Sequence, residues 1–122
     1  MASFLIVDDM EFFRETIKLY VLKAGHTVVG EAENGVEAVA KFKELKPDIT
    51  VMDITMPKMD GLAALQEIMM HDPMAKVVMI SSSAQENNIK EAFILGASEF
   101  FPKPFNYESI PKIIDRLVKE LL

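Results

Sequence analysis

The chain has 122 residues, of which 50% are apolar and 26% charged, the size and mix of one domain with a single ordinary core. Its formal charge of −6 disfavours non-specific binding to nucleic acid or anionic membrane, both of which need clustered Lys and Arg. The absence of cysteine excludes a disulfide framework, a thiolate metal site and a thiol nucleophile. The only apolar run near the start, residues 4–7, is too short for a signal peptide or a membrane span. The expectation is a soluble, cytoplasmic protein.

Taken in chain order, short apolar runs alternate with segments of helical period. Residues 4–7 form the first strand candidate, and Phe12, Phe13, Ile17, Tyr20 and Val21 then recur at helical spacing. Residues 27–32 are the second strand, followed by Val36, Val39, Ala40 and Phe42. Residues 49–52 are the third, followed by Leu62, Leu65, Ile68 and Met69. Residues 76–80 are the fourth, followed by Ile89, Ala92, Phe93 and Leu95. Residues 98–102 are the fifth, and Ile110, Ile113, Ile114, Leu117, Val118 and Leu121 carry the last helix. Strict alternation of five strands and five helices predicts an α/β fold with a parallel sheet.

The punctuation agrees with those boundaries. Gly25 and Gly96 follow the first and fourth helices, where a left-handed residue is common. Asn34 and Asp60 stand where they can cap the second and third, and Pro47 and Pro73 close the same two helices from outside. Pro102 lacks the N–H that a central strand must donate, which places the fifth strand at the sheet border. Met69, Met70, Met74 and Met79 are expected to fill core, the usual work of so adaptable a side chain. His26 and His71 show no metal-ligand spacing and are expected at surface or cap positions.

Chemistry-bearing residues sit where the strands end. Asp8 and Asp9 follow the first strand, Asp53 the third, Ser81 the fourth and Lys103 the fifth. Right-handed crossovers put every strand-to-helix loop of a parallel sheet on one edge, and ligands bind there. Three carboxylates brought together repel unless a cation sits among them. All-oxygen ligands with room for water suit Mg²⁺, with Mn²⁺ as a substitute, and phosphate chemistry. A carboxylate can attack phosphorus to give an acyl phosphate, helped by cations on the transferring oxygens. The residues alone leave open which aspartate attacks. For Asp8 and Asp9 the alternative is a simple helix cap, and for Ser81, Ser82 and Ser83 a polar turn.

Leu5-Ile6-Val7-Asp8-Asp9, then the run from Pro47 to Pro57 around Asp53, then Asp60-Gly61, Ser81 and Lys103-Pro104-Phe105 occur in order over essentially the whole chain. Together they resemble a response-regulator receiver domain, of the CheY-like single-domain kind. That resemblance implies a flavodoxin-like (βα)5 doubly wound sheet of order 2-1-3-4-5, for which CheY is a standing example, and a single receiver domain over residues 1–122. It implies Asp53 as phosphoacceptor; Asp8, Asp9, Asp53 and the backbone carbonyl of Thr55 as Mg²⁺ ligands; Ser81 and Phe100 as switch residues; and Lys103 as the cation on the phosphoryl group. A histidine kinase would be the donor and a downstream protein the target, with chemotaxis suggested by the single-domain format. The chemistry would be confined to autophosphorylation and autodephosphorylation, making the chain a switch and not an enzyme.

Where position 100 carries Phe, no ring hydroxyl is available to a partner. Thr55 and Ser83 occupy positions that tune phosphoryl lifetime in the family, and Ser82 is small enough to leave room for the group. The Lys103-Pro104 bond would often be cis in such a domain. Phe93, Pro102, Pro111 and Ile114 are expected on one docking face of the fourth helix, fifth strand and fifth helix. Two rival readings remain. A Mg²⁺-dependent aspartyl phosphatase would want a second acid where Thr55 stands, and a pseudo-receiver would have no need of an intact Asp53 and Lys103. No glycine-rich phosphate loop is present.

Overall fold

The computed structural model describes residues 1–82, 86–103 and 106–122. Ser83, Pro104 and Phe105, and with them the expected lifetime position and the Lys103-Pro104 bond, lie outside the described residues. Five strands alternate with five helices: β1 (Ser3–Val7), α1 (Glu11–Lys23), β2 (Thr27–Ala32), α2 (Gly35–Leu45), β3 (Ile49–Asp53), α3 (Gly61–His71), β4 (Val77–Ser81), α4 (Glu86–Ile94), β5 (Glu99–Pro102) and α5 (Ile110–Leu121). All pairings are parallel, in the order β2-β1-β3-β4-β5. The predicted fold and order are therefore the observed ones.

Side chains alternate across the pleat and fill two cores. Leu5, Val7, Met52, Val77 and Met79 face α2 and α3, where Phe42, Leu65 and Ile68 are buried. Phe4, Ile6, Ile49, Val51, Val78 and Ile80 face α1 and α5, against Ile17, Val21, Ile114 and Leu117. A parallel sheet covered on both faces requires strands that are apolar throughout, and β3 and β4 are buried along their whole lengths. Among the described residues no helix is long and apolar enough to cross a membrane.

The caps hold where the sequence put them. Asn34 accepts the Glu37 N–H at 2.9 Å and Asp60 the Ala63 N–H at 2.9 Å. Gly25 and Gly96 take the left-handed backbone, at φ 87° and 111°. Pro102 ends the border strand β5.

Several burial expectations need correction. Ile114 is not on an outer face: with Ile110 and Leu117 it forms the buried line of α5, since spacings of four and then three residues keep it on the sheet-facing stripe. Phe12 and Val36 are exposed, one position off the buried phase of α1 and α2. Met79 is fully buried and Met69 packs against the core, whereas Met70 and Met74 are exposed and fill nothing.

Thr50 is the odd residue of the core. It is fully buried in β3, and its hydroxyl has no hydrogen-bond partner among the described residues. A buried hydroxyl left unpaired costs free energy that an apolar isostere does not. Thr50→Val should therefore raise the unfolding free energy by about 1 kcal/mol, read as a shifted urea midpoint at unchanged slope. An unchanged or lower midpoint would mean that the hydroxyl is satisfied in solution.

Candidate functional site

The sheet reverses direction at β1: β2 lies on one side of it and β3 on the other, so a crevice opens beyond their carboxyl ends. Val7 pairs with Met52, which puts Asp8, the next residue, opposite Asp53, the last of β3. The Asp8 N–H donates to the Ala32 carbonyl at 3.1 Å and the Ile54 N–H to that of Ile80 at 3.0 Å. Those ladder bonds hold the backbone at both acids to the edge of the sheet. The Lys103 N–H extends the β4–β5 ladder by donating to the Ser81 carbonyl at 2.8 Å, and its side chain turns back over the same edge.

The result is a compact charge cluster. The Lys103 Nζ stands 2.6 Å from Asp8 Oδ2 and 3.2 Å from Asp53 Oδ2. Asp8 is fully buried, Asp53 is 6% exposed and the lysine side chain 5%. Asp8 Oδ1 accepts the Met10 N–H at 2.9 Å, so both of its oxygens are engaged. Asp9 stays exposed, and oxygens of Asp8, Asp9 and Asp53 lie within 4.8 Å of one another. Burial pushes the Asp53 carboxyl above its ordinary value; the Lys103 ammonium opposes the rise, and the charges of Asp8 and then Asp9 add to it.

Of the remaining expected residues, Thr55 is exposed and lines the cleft over Asp53 with Asp9, Met10, Phe13, Ser82 and Lys103. Ser81 is buried at the end of β4 and pairs with Pro102; its neighbour Ser82 is the serine that lines the cleft. Phe100 is half-buried and packs against the core on the α2–α3 side, with Met69 and Leu95. It does not line the cleft.

Three supporting residues carry no site role in the sequence reading, though Gly61 belongs to its Asp60-Gly61 motif. Arg14 is buried in α1 and donates from Nη1 to the Asp8 carbonyl at 2.7 Å, while Nε and Nη2 reach Glu31 at 3.3 Å and Glu33 at 3.6 Å. It ties the turn bearing Asp8 and Asp9 to β2. The signal was present, since Arg14 falls three and seven residues before Ile17 and Val21, on the buried phase of α1. Phe13 places its ring beneath the lysine, with Nζ 4.0 Å from the ring centroid. Gly61 opens α3 with its N–H 2.6 Å from the Ile54 carbonyl. A Cβ there would stand 2.0 Å from the Asp53 carbonyl oxygen, so only glycine lets α3 start this close to the acidic edge. Lys58, in the loop between β3 and α3, takes a left-handed backbone at φ 67°, a conformation common beside functional sites.

This donor set fits a hard divalent cation. It offers carboxylate oxygens only, one acid is open to solvent, and an ammonium now sits between the other two, where the acids call for positive charge.

Comparison with known proteins agrees with the geometry. Residues 4–115 match the family model of the response regulator receiver domain. The chemotaxis protein CheY of Listeria monocytogenes is 47% identical over 119 residues, 98% of this chain and 100% of that one. CheY of Thermotoga maritima is 48% identical over 115 residues, 94% of this chain and 96% of that one. Among solved structures, a chain of the CheX–CheY–BeF3–Mg²⁺ complex of Borrelia burgdorferi superposes with a TM-score of 0.90 at 36% identity, covering 99% of this chain and 90% of that one.

Proposed function

This chain belongs to the response-regulator receiver family, homologous to CheY, and from that premise we propose that Asp53 accepts a phosphoryl group from a histidine kinase in a Mg²⁺-dependent step. The observation that carries the reading is the Lys103 ammonium held between Asp8 and Asp53 at the edge of the sheet. Asp8 is fully buried and bonds Met10 and Lys103 through its two oxygens, whereas Asp53 meets Lys103 through Oδ2 and lines the open cleft. That asymmetry leaves Asp53 as the carboxylate with a clear line of approach to phosphorus.

Asp8, Asp9, Asp53 and the carbonyl of Thr55 would hold the ion, which when bound neutralises charge on the transferring oxygens. The chain's own residues supply the rest. An Asp53 oxygen bonds to phosphorus as the bond to the donor imidazole breaks. The Lys103 ammonium follows the negative charge from the carboxylate to a phosphoryl oxygen. The Ser81 hydroxyl then turns toward the phosphoryl group and Phe100 into the space released, biasing a two-state equilibrium.

The position where an aspartyl phosphatase needs its second acid is Thr55, which cannot protonate a leaving group. The domain thus acts as a switch that catalyses its own phosphorylation and dephosphorylation. We place it in the cytoplasm, with a kinase as donor and a downstream protein as reader, in a chemotaxis pathway as in its relatives. The reading surface is the outer face of α4, β5 and α5, where Phe93, Ile94, Pro102 and Pro111 are exposed.

Incubation with labelled acetyl phosphate tests this reading. Wild-type protein should take up label with Mg²⁺ and lose that uptake when a chelator is added. Label that enters equally in both conditions would reject the Mg²⁺-dependent step.

A further inference from the structure

We propose that Phe13 is a positioning residue for Lys103, its ring holding the ammonium over the Asp53 cleft by a cation–π contact. The proposal rests on the phosphoacceptor reading of Asp53. Among the described residues the ammonium contacts two carboxylates and this one ring. Phe13 is half-buried on the first turn of α1 and lines the cleft directly.

The two carboxylates cannot hold the lysine steady through the reaction. Asp53 loses charge from the oxygen that bonds to phosphorus, and Asp8 shares its charge with any cation that enters. The negative face of the ring changes with neither event. A lysine carries its charge on a flexible four-carbon stem, and without a fixed partner that stem has several rotamers leading to water. At 4.0 Å from the centroid, the ring supplies that partner and excludes water from one side of the ammonium, where such contacts are strongest.

The test compares Phe13→Leu, apolar but without a π face, with Phe13→Tyr, which keeps one. Two quantities are read. In metal-free protein, acetylation of Lys103 by acetic anhydride, followed by mass spectrometry, should be about fivefold faster in Phe13→Leu and unchanged in Phe13→Tyr. With Mg²⁺, labelling of Asp53 by acetyl phosphate should be about fivefold slower in Phe13→Leu, equivalent to about 1 kcal/mol, and near wild-type in Phe13→Tyr. Circular dichroism confirms folding, and Phe13→Met replaces the leucine variant if that variant does not fold.

Unchanged acetylation of Lys103 in Phe13→Leu overturns the proposal, and so does faster acetylation with an unchanged labelling rate. Equal losses in the leucine and tyrosine variants also overturn it, since they would mark a packing role. Should wild-type protein take no label, the phosphoacceptor reading fails, while the acetylation arm still decides whether the ring holds the ammonium.

Discussion

Asp53→Asn is expected to abolish acyl-phosphate formation and, in metal-free buffer at neutral pH, to make the protein more stable. The first effect follows from removing the proposed nucleophile: labelling from a small phosphodonor should fall at least about a hundredfold. The second follows from the charge balance of the cluster. Asp53 is buried beside Asp8 and near Asp9, and its carboxyl is raised above the unfolded value of 3.8, mainly by that burial. The folded state therefore binds its proton more tightly than the unfolded state does. By linkage, ionised Asp53 costs stability above its folded pKa, and the cost fades as pH falls through that pKa toward 3.8.

Asparagine removes the cost and leaves Lys103 paired with Asp8. The melting temperature of Asp53→Asn should exceed that of wild type by a few degrees at pH 7 in chelator. The excess should shrink on acidification, because a protonated Asp53 resembles asparagine. Mg²⁺ should shrink it too, because the ion stabilises wild type more than a variant with one ligand fewer. A variant less stable than wild type at pH 7 without metal would contradict this account of the site.

Lys103→Met carries the opposite expectation. Asp8 is fully buried and Asp53 nearly so, and the ammonium reaches both. Taking away one member of a buried ionic cluster leaves charges that the interior cannot solvate, a loss of about 3–5 kcal/mol. Urea unfolding in chelator should show it. Saturating Mg²⁺ should recover part of the loss, and more than it adds to wild type, because the variant's acids hold no other cation. Adding Asp53→Asn should also recover part by removing one of the stranded charges. Phosphoryl transfer should stay about a hundredfold slow even with Mg²⁺, since a methionine cannot accompany the charge onto the phosphoryl oxygens. Equal gains from Mg²⁺ in wild type and variant would contradict the shared site.

Much of this arrangement was legible in the sequence because it depends on periodicity and strand ends. The five apolar runs gave the sheet, and the position of each acid after its run gave the edge. The strand ends were off by a residue for a physical reason. Asp53 and Ser81 are the last paired residues of β3 and β4, not the first of their loops, so both are held in the sheet. The six apolar positions of α5 did not reveal that Ile114 lies on the central buried line, because a stripe that wide has no visible midpoint. The site contacts of Phe13, Arg14 and Gly61 were hidden for another reason, although Phe13 stands in the helical period of α1 and Gly61 in the Asp60-Gly61 motif. Each works through a contact with a backbone or side chain outside its own helix, and nothing in the residue itself names the partner. For Arg14 alone, a charge on the buried phase of α1 was a usable sign.

On the proposed function, the acids and Lys103 gather so that Asp53, and no other residue, receives the phosphoryl group. Borohydride reduction of the phosphorylated protein tests it most directly, since it converts an aspartyl phosphate to homoserine at the modified position. After treatment with acetyl phosphate and Mg²⁺, peptide mass spectrometry should find homoserine at position 53. Homoserine at position 8 or 9, or none in a folded protein, would contradict the account.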